Sequence, residues 1–141
     1  MEIVIAKDKK TLEDAFKVRK VVFVDEQKVP PEEEIDQYED ESVHFVVYND
    51  NDEPIGAGRL RNLDGAGKIE RICVLADYRN CGIGKKLMEK IMQYAKDHGY
   101  EKVKLNSQSH AIPFYEKLGF FITSEEFFEA GIPHRTMEKM L

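Results

Sequence analysis

Between Arg79 and Lys86 the chain reads Arg-Asn-Cys-Gly-Ile-Gly-Lys-Lys. Two glycines one residue apart let backbone N–H groups turn toward a single point, with no Cβ to hold an anion away. If a helix begins here, its first N–H groups lack internal acceptors and carry a partial positive charge, so the stretch suits a phosphate. An ordinary strand-to-helix turn uses glycine in the same way, and a Gly-x-Gly alone does not separate the two. Two better known phosphate loops fail on the letters. A Walker A loop needs a glycine where Arg79 stands and a Ser or Thr where Lys86 stands. A dinucleotide fingerprint needs a third glycine at Leu87 and an acidic residue closing the next strand, which instead ends Leu105-Asn106-Ser107.

Apolar periodicity says what must position this loop. Before it, Ile69 to Leu75 reads as a strand; after it, Ile83, Leu87, Met88, Ile91, Met92 and Ala95 recur at a helical period up to Lys96. Gly99 stops that helix and Val103 to Ser107 makes the next strand, which runs parallel to the first because the helix crosses between them. Upstream, Glu2 to Ala6 is a short strand. Thr11 and Asp14 stand in a capping-box relation ahead of a helix that buries Leu12, Ala15, Phe16, Val22 and Phe23. Pro30 and Pro31 end it, and the acidic run behind them forms a short second helix or a loop. Strands Val43 to Tyr48, Ile55 to Asn62 and Ile69 to Leu75, separated by turns at Asn49–Asp52 and Asp64–Gly67, make an antiparallel meander. Gly56 and Gly58 inside the second of these strands signal a bulge or a close backbone approach. Downstream come a helix from His110 to Leu118 and strands Phe120 to Phe128 and His134 to Met140, joined by a turn at Ala130-Gly131-Ile132-Pro133. The order is strand, two helices, three strands, helix, strand, helix, two strands: α/β, with an α+β mixed sheet.

A length of 141 residues with 42% hydrophobic content fits one globular domain over the whole chain. No apolar run approaches a membrane span and no signal-peptide pattern appears, so the expectation is a cytoplasmic protein that does not engage a membrane. A net charge of -6 argues against broad nucleic-acid binding. Cys73 and Cys81 match no metal or redox spacing, and no metal is expected. His44, inside an apolar strand, reads as a hydrogen-bonded structural histidine.

The order Arg79, two residues, Gly82, one residue, Gly84, between an apolar strand and a helix, resembles the acyl-CoA loop of the GNAT (GCN5-related N-acetyltransferase) superfamily. Ala111-Ile112-Pro113-Phe114-Tyr115-Glu116-Lys117-Leu118-Gly119-Phe120 is similar to that superfamily's A-x-x-F-Y-x-x-x-G-F segment. The two motifs occur in the right order and at the right spacing. The stretch Val22-Phe23-Val24-Asp25-Glu26-Gln27, with acidic residues following Pro30-Pro31, resembles the ElaA or YjcF-type bacterial branch.

The resemblance implies the GNAT acyl-CoA N-acyltransferase fold, with the parallel strands 69–75 and 103–107 splayed apart and acetyl-CoA as co-substrate between them. The pyrophosphate would lie on Arg79, Asn80, Cys81, Gly82, Ile83, Gly84 and Lys85, and the pantetheine arm along Ile72, Cys73 and Val74. Asn106 would bind the pantetheine or the acceptor, and His110 and Phe114 would contact the cofactor. Acetyl transfer to an amine needs a neutral amine, a stabilised oxyanion and a proton for the leaving thiolate. Tyr115, which periodicity alone reads as a core residue, becomes the general acid under this resemblance, and the Val74 N–H the oxyanion donor. Glu70, taken to share a strand face with Ile72 and Val74, is the candidate base if burial raises its pKa; the competing reading is an ion-paired carboxylate. The acidic run from Glu32 to Glu41 reads first as a solvated surface. In the family that region covers the acceptor side, so Glu26, Glu34 and Asp36 become candidates to face a cationic substrate. Expected partners are a small-molecule or protein amine, with a homodimer possible. A non-catalytic acyl-CoA-binding regulatory module is the alternative, and it would be favoured by a lost tyrosine or a broken glycine loop.

Overall fold

The computed structural model describes residues 1–141. An eight-stranded mixed sheet is formed by β1 (Glu2–Ile5), β2 (Val43–Tyr48), β3 (Pro54–Leu63), β4 (Ala66–Val74), β5 (Lys102–Gln108), β6 (Phe121–Ile122), β7 (Phe127–Glu129) and β8 (Ile132–Met140). The strands lie in the order β1-β2-β3-β4-β5-β8-β6, with β7 also paired to β8. Seven strands are expected from the sequence, and the eighth comes from a break in the stretch 120–128. There the Ser124 hydroxyl accepts from the Thr136 N–H at 2.9 Å, interrupting the ladder and splitting one strand into β6 and β7.

Helix α3 (Ile83–Asp97) packs on one face of the sheet. Its inward residues Leu87, Met88, Ile91 and Ala95 are free of solvent and join Phe45, Leu60, Ile69, Val103 and Met137 in the larger core. The short helix α4 (Ile112–Lys117) adds Phe114 and Tyr115 to that cluster. On the opposite face α1 (Lys9–Arg19) buries Ala15 and Val18 against Val46, Ala57 and Cys73. The cap of α1 is Asp8, whose carboxylate accepts from the Thr11 N–H at 2.8 Å, rather than Thr11 itself. Leu12, Phe16 and Phe23 are only half-buried; the fully covered positions are Ala15, Val18, Arg19 and Val22. Beyond Arg19 the helix continues as a π-helical segment, Lys20–Glu26. The wider turn shifts the phase so that Val22 still points inward while Glu26 and Gln27 project toward the sheet's open end. A single turn, α2 (Pro31–Glu34), follows.

Parallel pairing between β4 and β5 is confined to Gly67↔Val103 and Lys68↔Lys104. Past those pairs the strands splay, as the family resemblance leads one to expect. Strand β4 also carries a bulge: Arg71 has φ 60, and the register with β3 jumps between Arg59↔Glu70 and Ala57↔Cys73. Two residues of β4 therefore oppose Gly58, where an added Cβ would lie 2.6 Å from the tip of the Ile72 side chain and 3.0 Å from that of Ile91, so a larger residue would push those ends aside. No helix is long and apolar enough to cross a membrane.

Candidate active site

The loop from β4 to α3 is built by left-handed backbone at Asn80 (φ 62) and Gly82 (φ 79). A Cβ on Gly82 would meet nothing within 4 Å, so this position opens on free space. The first helical bond inside α3 runs from the Lys86 N–H to the Gly82 carbonyl at 3.2 Å. The N–H groups of Ile83, Gly84 and Lys85 are thus left without helical acceptors and converge on the same side, with the positive end of a 15-residue helix behind them. That donor set fits a pyrophosphate. Cys81, Lys85 and Lys86 are exposed, whereas the Ile83 side chain is buried in the core, so Ile83 contributes only its backbone. A Cβ on Gly84 would stand 3.4 Å from the Phe114 ring, which places Phe114 of α4 as a wall beside the loop.

Arg79 turns away from this cradle. Its Nε donates to the Val74 carbonyl at 2.9 Å, and its two terminal nitrogens grip the Glu26 carboxylate at 2.7 and 2.8 Å. The pair raises the Arg79 pKa and lowers that of Glu26. Because the Leu75 N–H donates to Ile55 in β3, strand alternation turns the Val74 N–H and C=O to the splayed side. The bulge at Arg71 sorts the remaining β4 side chains. Ile72 packs on the α3 face, while the Cys73 thiol is buried on the α1 face against Ala57, where burial pushes its pKa up to about 12. Cys73 therefore offers a cofactor its backbone and not its sulfur.

Tyr115 sits between Phe114 and Phe120, with ring centroids 5.0 and 5.9 Å away. Burial and the nearby Cys73 sulfur push its phenol above the ordinary range, and no residue of the chain hydrogen-bonds its hydroxyl. The group is a neutral O–H donor with its hydrogen-bonding capacity free.

Glu70 lies elsewhere than strict alternation predicts. The extra residue at Arg71 reverses the alternation, so Glu70 faces α1 and α2 while Ile72 faces α3. Its Oε1 accepts from Arg61 Nε at 2.7 Å and from Arg59 Nη2 at 3.0 Å. Burial works to raise its pKa, but the hydrogen bond from Arg61 and the Arg59 charge outweigh it and hold the carboxyl below the usual range. The condition on which Glu70 would serve as a base, a raised pKa, is not met.

The candidate acceptor carboxylates are also ion-paired. Glu34, 2% exposed, accepts from Arg19 Nη2 at 2.8 Å and Arg71 Nε at 2.9 Å. Asp36 takes both terminal nitrogens of Arg59, at 2.8 and 2.7 Å, and with Arg71 this brings its pKa to about 2 despite burial. Glu39, which sequence reasoning missed, binds Arg19 at 2.7 Å and Arg59 at 2.9 Å, and it too is held at about 2. Arg19, Arg59 and Arg61 were equally missed, although a signal existed. Arg19 shares the helical stripe of Ala15, Val18 and Val22, and Arg59 and Arg61 alternate onto one strand face.

Across the splay, Asn106 Oδ1 accepts from Thr136 at 2.9 Å and its Nδ2 donates to Glu129 at 3.3 Å. His110 is exposed and bonds Gln108 at 2.7 Å; Gln108 in turn donates to Gln27 at 2.8 Å. Neighbouring residues Glu26 and Gln27 thus fasten to opposite sides of the splay, Glu26 to Arg79 and Gln27 to Gln108. His44 is buried with Nε2 on the Glu39 carbonyl at 2.9 Å, as expected of a structural histidine.

A parallel strand pair that opens toward a helix N-terminus, with a half-buried phenol on one face and a charged wall on the other, defines the acyl-CoA N-acyltransferase class of α/β fold. A family model described as Acetyltransferase (GNAT) domain matches residues 11–141. The Bacillus subtilis (strain 168) protein named Uncharacterized N-acetyltransferase YjcF is 53% identical over 140 residues, covering 99% of each chain. Among solved structures, an acyl-CoA N-acyltransferase from Pseudomonas aeruginosa superposes with a TM-score of 0.88 at 27% identity, covering 99% of each chain. Escherichia coli ElaA does so at 0.87 and 27%, covering 98% of each. The chain belongs to the GNAT acetyltransferase family.

Proposed function

We propose that the protein transfers the acetyl group of acetyl-CoA to a primary amine, by direct attack of the amine while both substrates are bound. The observation that carries this reading is the splay itself. Pairing of β4 with β5 stops at Lys68 and Lys104, leaving an opening with the α3 donors and Tyr115 at one face and the α1 and α2 segments at the other. A bound acetyl-CoA would supply the activated thioester. The loop N–H groups from Ile83 to Lys85 hold its pyrophosphate, and the Val74 N–H faces the position where negative charge develops on the carbonyl oxygen. Tyr115 donates its proton to the departing sulfur, for which a high phenol pKa suits a group that must be protonated beforehand. The regulatory-module alternative would be favoured by a broken loop or a lost tyrosine, and both features are intact. Tyr115→Phe keeps the ring packing and removes only the hydroxyl. Turnover, followed as thiol release, is expected to fall about a hundredfold with CoA affinity by calorimetry little changed. A wild-type rate in this variant would make Tyr115 a packing residue.

A further inference from the structure

The proton acceptor for the incoming amine remains to be found, since Glu70 is held ionised by two arginines. We propose that His134 takes this proton on Nε2 and that, with Glu129, it forms the subsite for the substrate's ammonium group, an inference that rests on the amine-acylation reading above.

His134 lies in β8 directly opposite Gln108 of β5. Carrying the β4–β5 register of Lys68↔Lys104 past the one-residue bulge at Arg71 sets Gln108 level with Cys73, next to Val74. His134 is therefore one strand spacing, about 5 Å, from the lip of the splay and at its height. It shares its face with Thr136, whose hydroxyl bonds Asn106, and this is the face on which Gln108 reaches Gln27.

The residue is 7% exposed, and Phe127 stacks on its ring at 6.0 Å with the planes 21° apart. Nδ1 stands 2.7 Å from the Ile132 carbonyl. A carbonyl only accepts, so Nδ1 carries the hydrogen and Nε2 of the neutral ring presents a bare lone pair. Facing that lone pair at 3.7 Å is Glu129 Oε2, also an acceptor, while Glu129 Oε1 takes the Asn106 amide. Two acceptors turned on one point, with no donor of the chain between them, complement a cationic N–H group.

The other groups packed around His134 are the neutral Gln108 and Asn106 of β5 and the Phe127 ring of β7. His110, on the turn Ser109–Ala111, has its Nε2 on Gln108. Lys68 and Lys104 sit farther along the same face, and the negative charge of Glu129 acts on Lys68.

In the step that follows, the ammonium passes one proton to Nε2, which releases it to water. The neutral nitrogen attacks the thioester carbon, the N–C bond forms and the C–S bond breaks. Tyr115 protonates the sulfur and is reprotonated from solvent, and the nitrogen sheds its second proton to water or to the emptied Nε2.

His134→Asn tests this without removing the structural bond, because the Asn amide can still donate to the Ile132 carbonyl. In nitrogen-15 histidine correlation spectra of the full chain at about pH 8, the signal missing from the variant should show the Nδ1–H tautomer with unprotonated Nε2. An Nε2–H tautomer overturns the proposal. Thiol release by the variant should fall about a hundredfold with n-butylamine, which is an ammonium ion near neutrality, and less than about threefold with hydroxylamine, which is already neutral. Equal losses with both amines, or none with either, overturn it as well. If the wild-type protein releases no thiol with any amine, the acylation reading fails, whatever the tautomer.

Discussion

On one face of the sheet, α3 lays Leu87, Met88, Ile91 and Ala95 against Leu60, Ile69, Val103 and Met137 with no charge among them. On the other face, beside the small cluster under α1, Arg19 and Arg59 lie 1% exposed or less, locked to Glu34, Asp36, Glu39 and Glu70. The apolar face tolerates volume-conserving change, because dispersion and burial are nondirectional. The charged face does not, since each guanidinium is shared by carboxylates from segments far apart in the chain. Loss of one partner strands the rest in a poor solvent. The first face supports the loop from β4 to α3. The second pins the segment 31–41 against the sheet, so the harder-to-alter construction lies on the α1 side.

Breaking the charged face at its centre should give the largest effect. Arg59→Met leaves Asp36, Glu39 and part of Glu70 without their shared cation, and urea unfolding is expected to report a loss of about 3–5 kcal/mol. Leu87→Ala, on the other face, removes a solvent-free side chain and should lose about 2–5 kcal/mol through its cavity. The two are separated by pH. Asp36 and Glu39 have folded pKa values of about 2, below their unfolded values, so the stability they confer is fully present above about pH 5 and is lost as pH falls toward 2. For each carboxylate this is on the order of 2–3 kcal/mol. His44, whose pKa burial lowers, acts in the same direction: its contribution is present above its unfolded pKa and declines as pH falls below about 6.5. Glu39→Gln should flatten the unfolding midpoint between about pH 5 and 3, whereas Leu87→Ala should lower it by a similar amount throughout. A Glu39→Gln profile as steep as wild type would show that the ion pairs do not govern acid stability.

A smaller effect is expected in the cradle. Gly82→Val keeps free space around the side chain but forces a branched residue to φ 79, a strain of about 1–3 kcal/mol that the exposed loop can relieve by rearranging its N–H groups. CoA affinity by calorimetry should drop about tenfold while the unfolding midpoint moves little, and unchanged affinity would remove the pyrophosphate from this loop.

The loop and the helix behind it were legible in the sequence because glycine placement and helix period carry them. Gly82, Gly84 and the stripe from Ile83 to Ala95 read as a turn and a helix from the letters themselves, while the phosphate role needed the family likeness. The splay could be anticipated only through the family likeness. What stayed hidden depends on the bulge at Arg71, where a non-glycine residue takes φ 60 and reverses the face of Glu70. Nothing local in Glu-Arg-Ile signals that reversal; the nearest hint was Gly58 in the neighbouring strand. The arginine network was hidden for a related reason. The arginines that hold Glu34, Asp36 and Glu39 lie 15 to 37 residues away from them in the chain, beyond the reach of periodicity, so Glu34 and Asp36 read as surface carboxylates. His134 gave no signal at all, since a histidine after Pro133 in a turn looks like any hairpin residue until its ring nitrogens can be assigned.

The smallest effect concerns salt, and it turns on which carboxylates of the acidic segment are free. Unpaired, they would draw in a cationic amine from solution, and kcat/KM would fall steeply as ions screened them. Glu34, Asp36 and Glu39 are instead neutralised by arginines at 2.7 to 2.9 Å, and Glu26 by Arg79 at 2.7 Å, so their long-range field is largely cancelled. Glu32, Glu33 and Asp40 stay exposed and without an ion-pair partner, so a weak long-range field remains, and under the proposal above the closer attraction is at Glu129 beside His134. Raising ionic strength from about 20 to 200 mM should therefore lower kcat/KM for n-butylamine by less than about threefold. Glu26→Gln, which frees Arg79, should change the affinity for CoA more than that for the amine. A tenfold salt effect abolished by neutralising Glu26, Glu34 and Asp36 would mean that these pairs open in solution, and that the acidic segment guides the substrate after all.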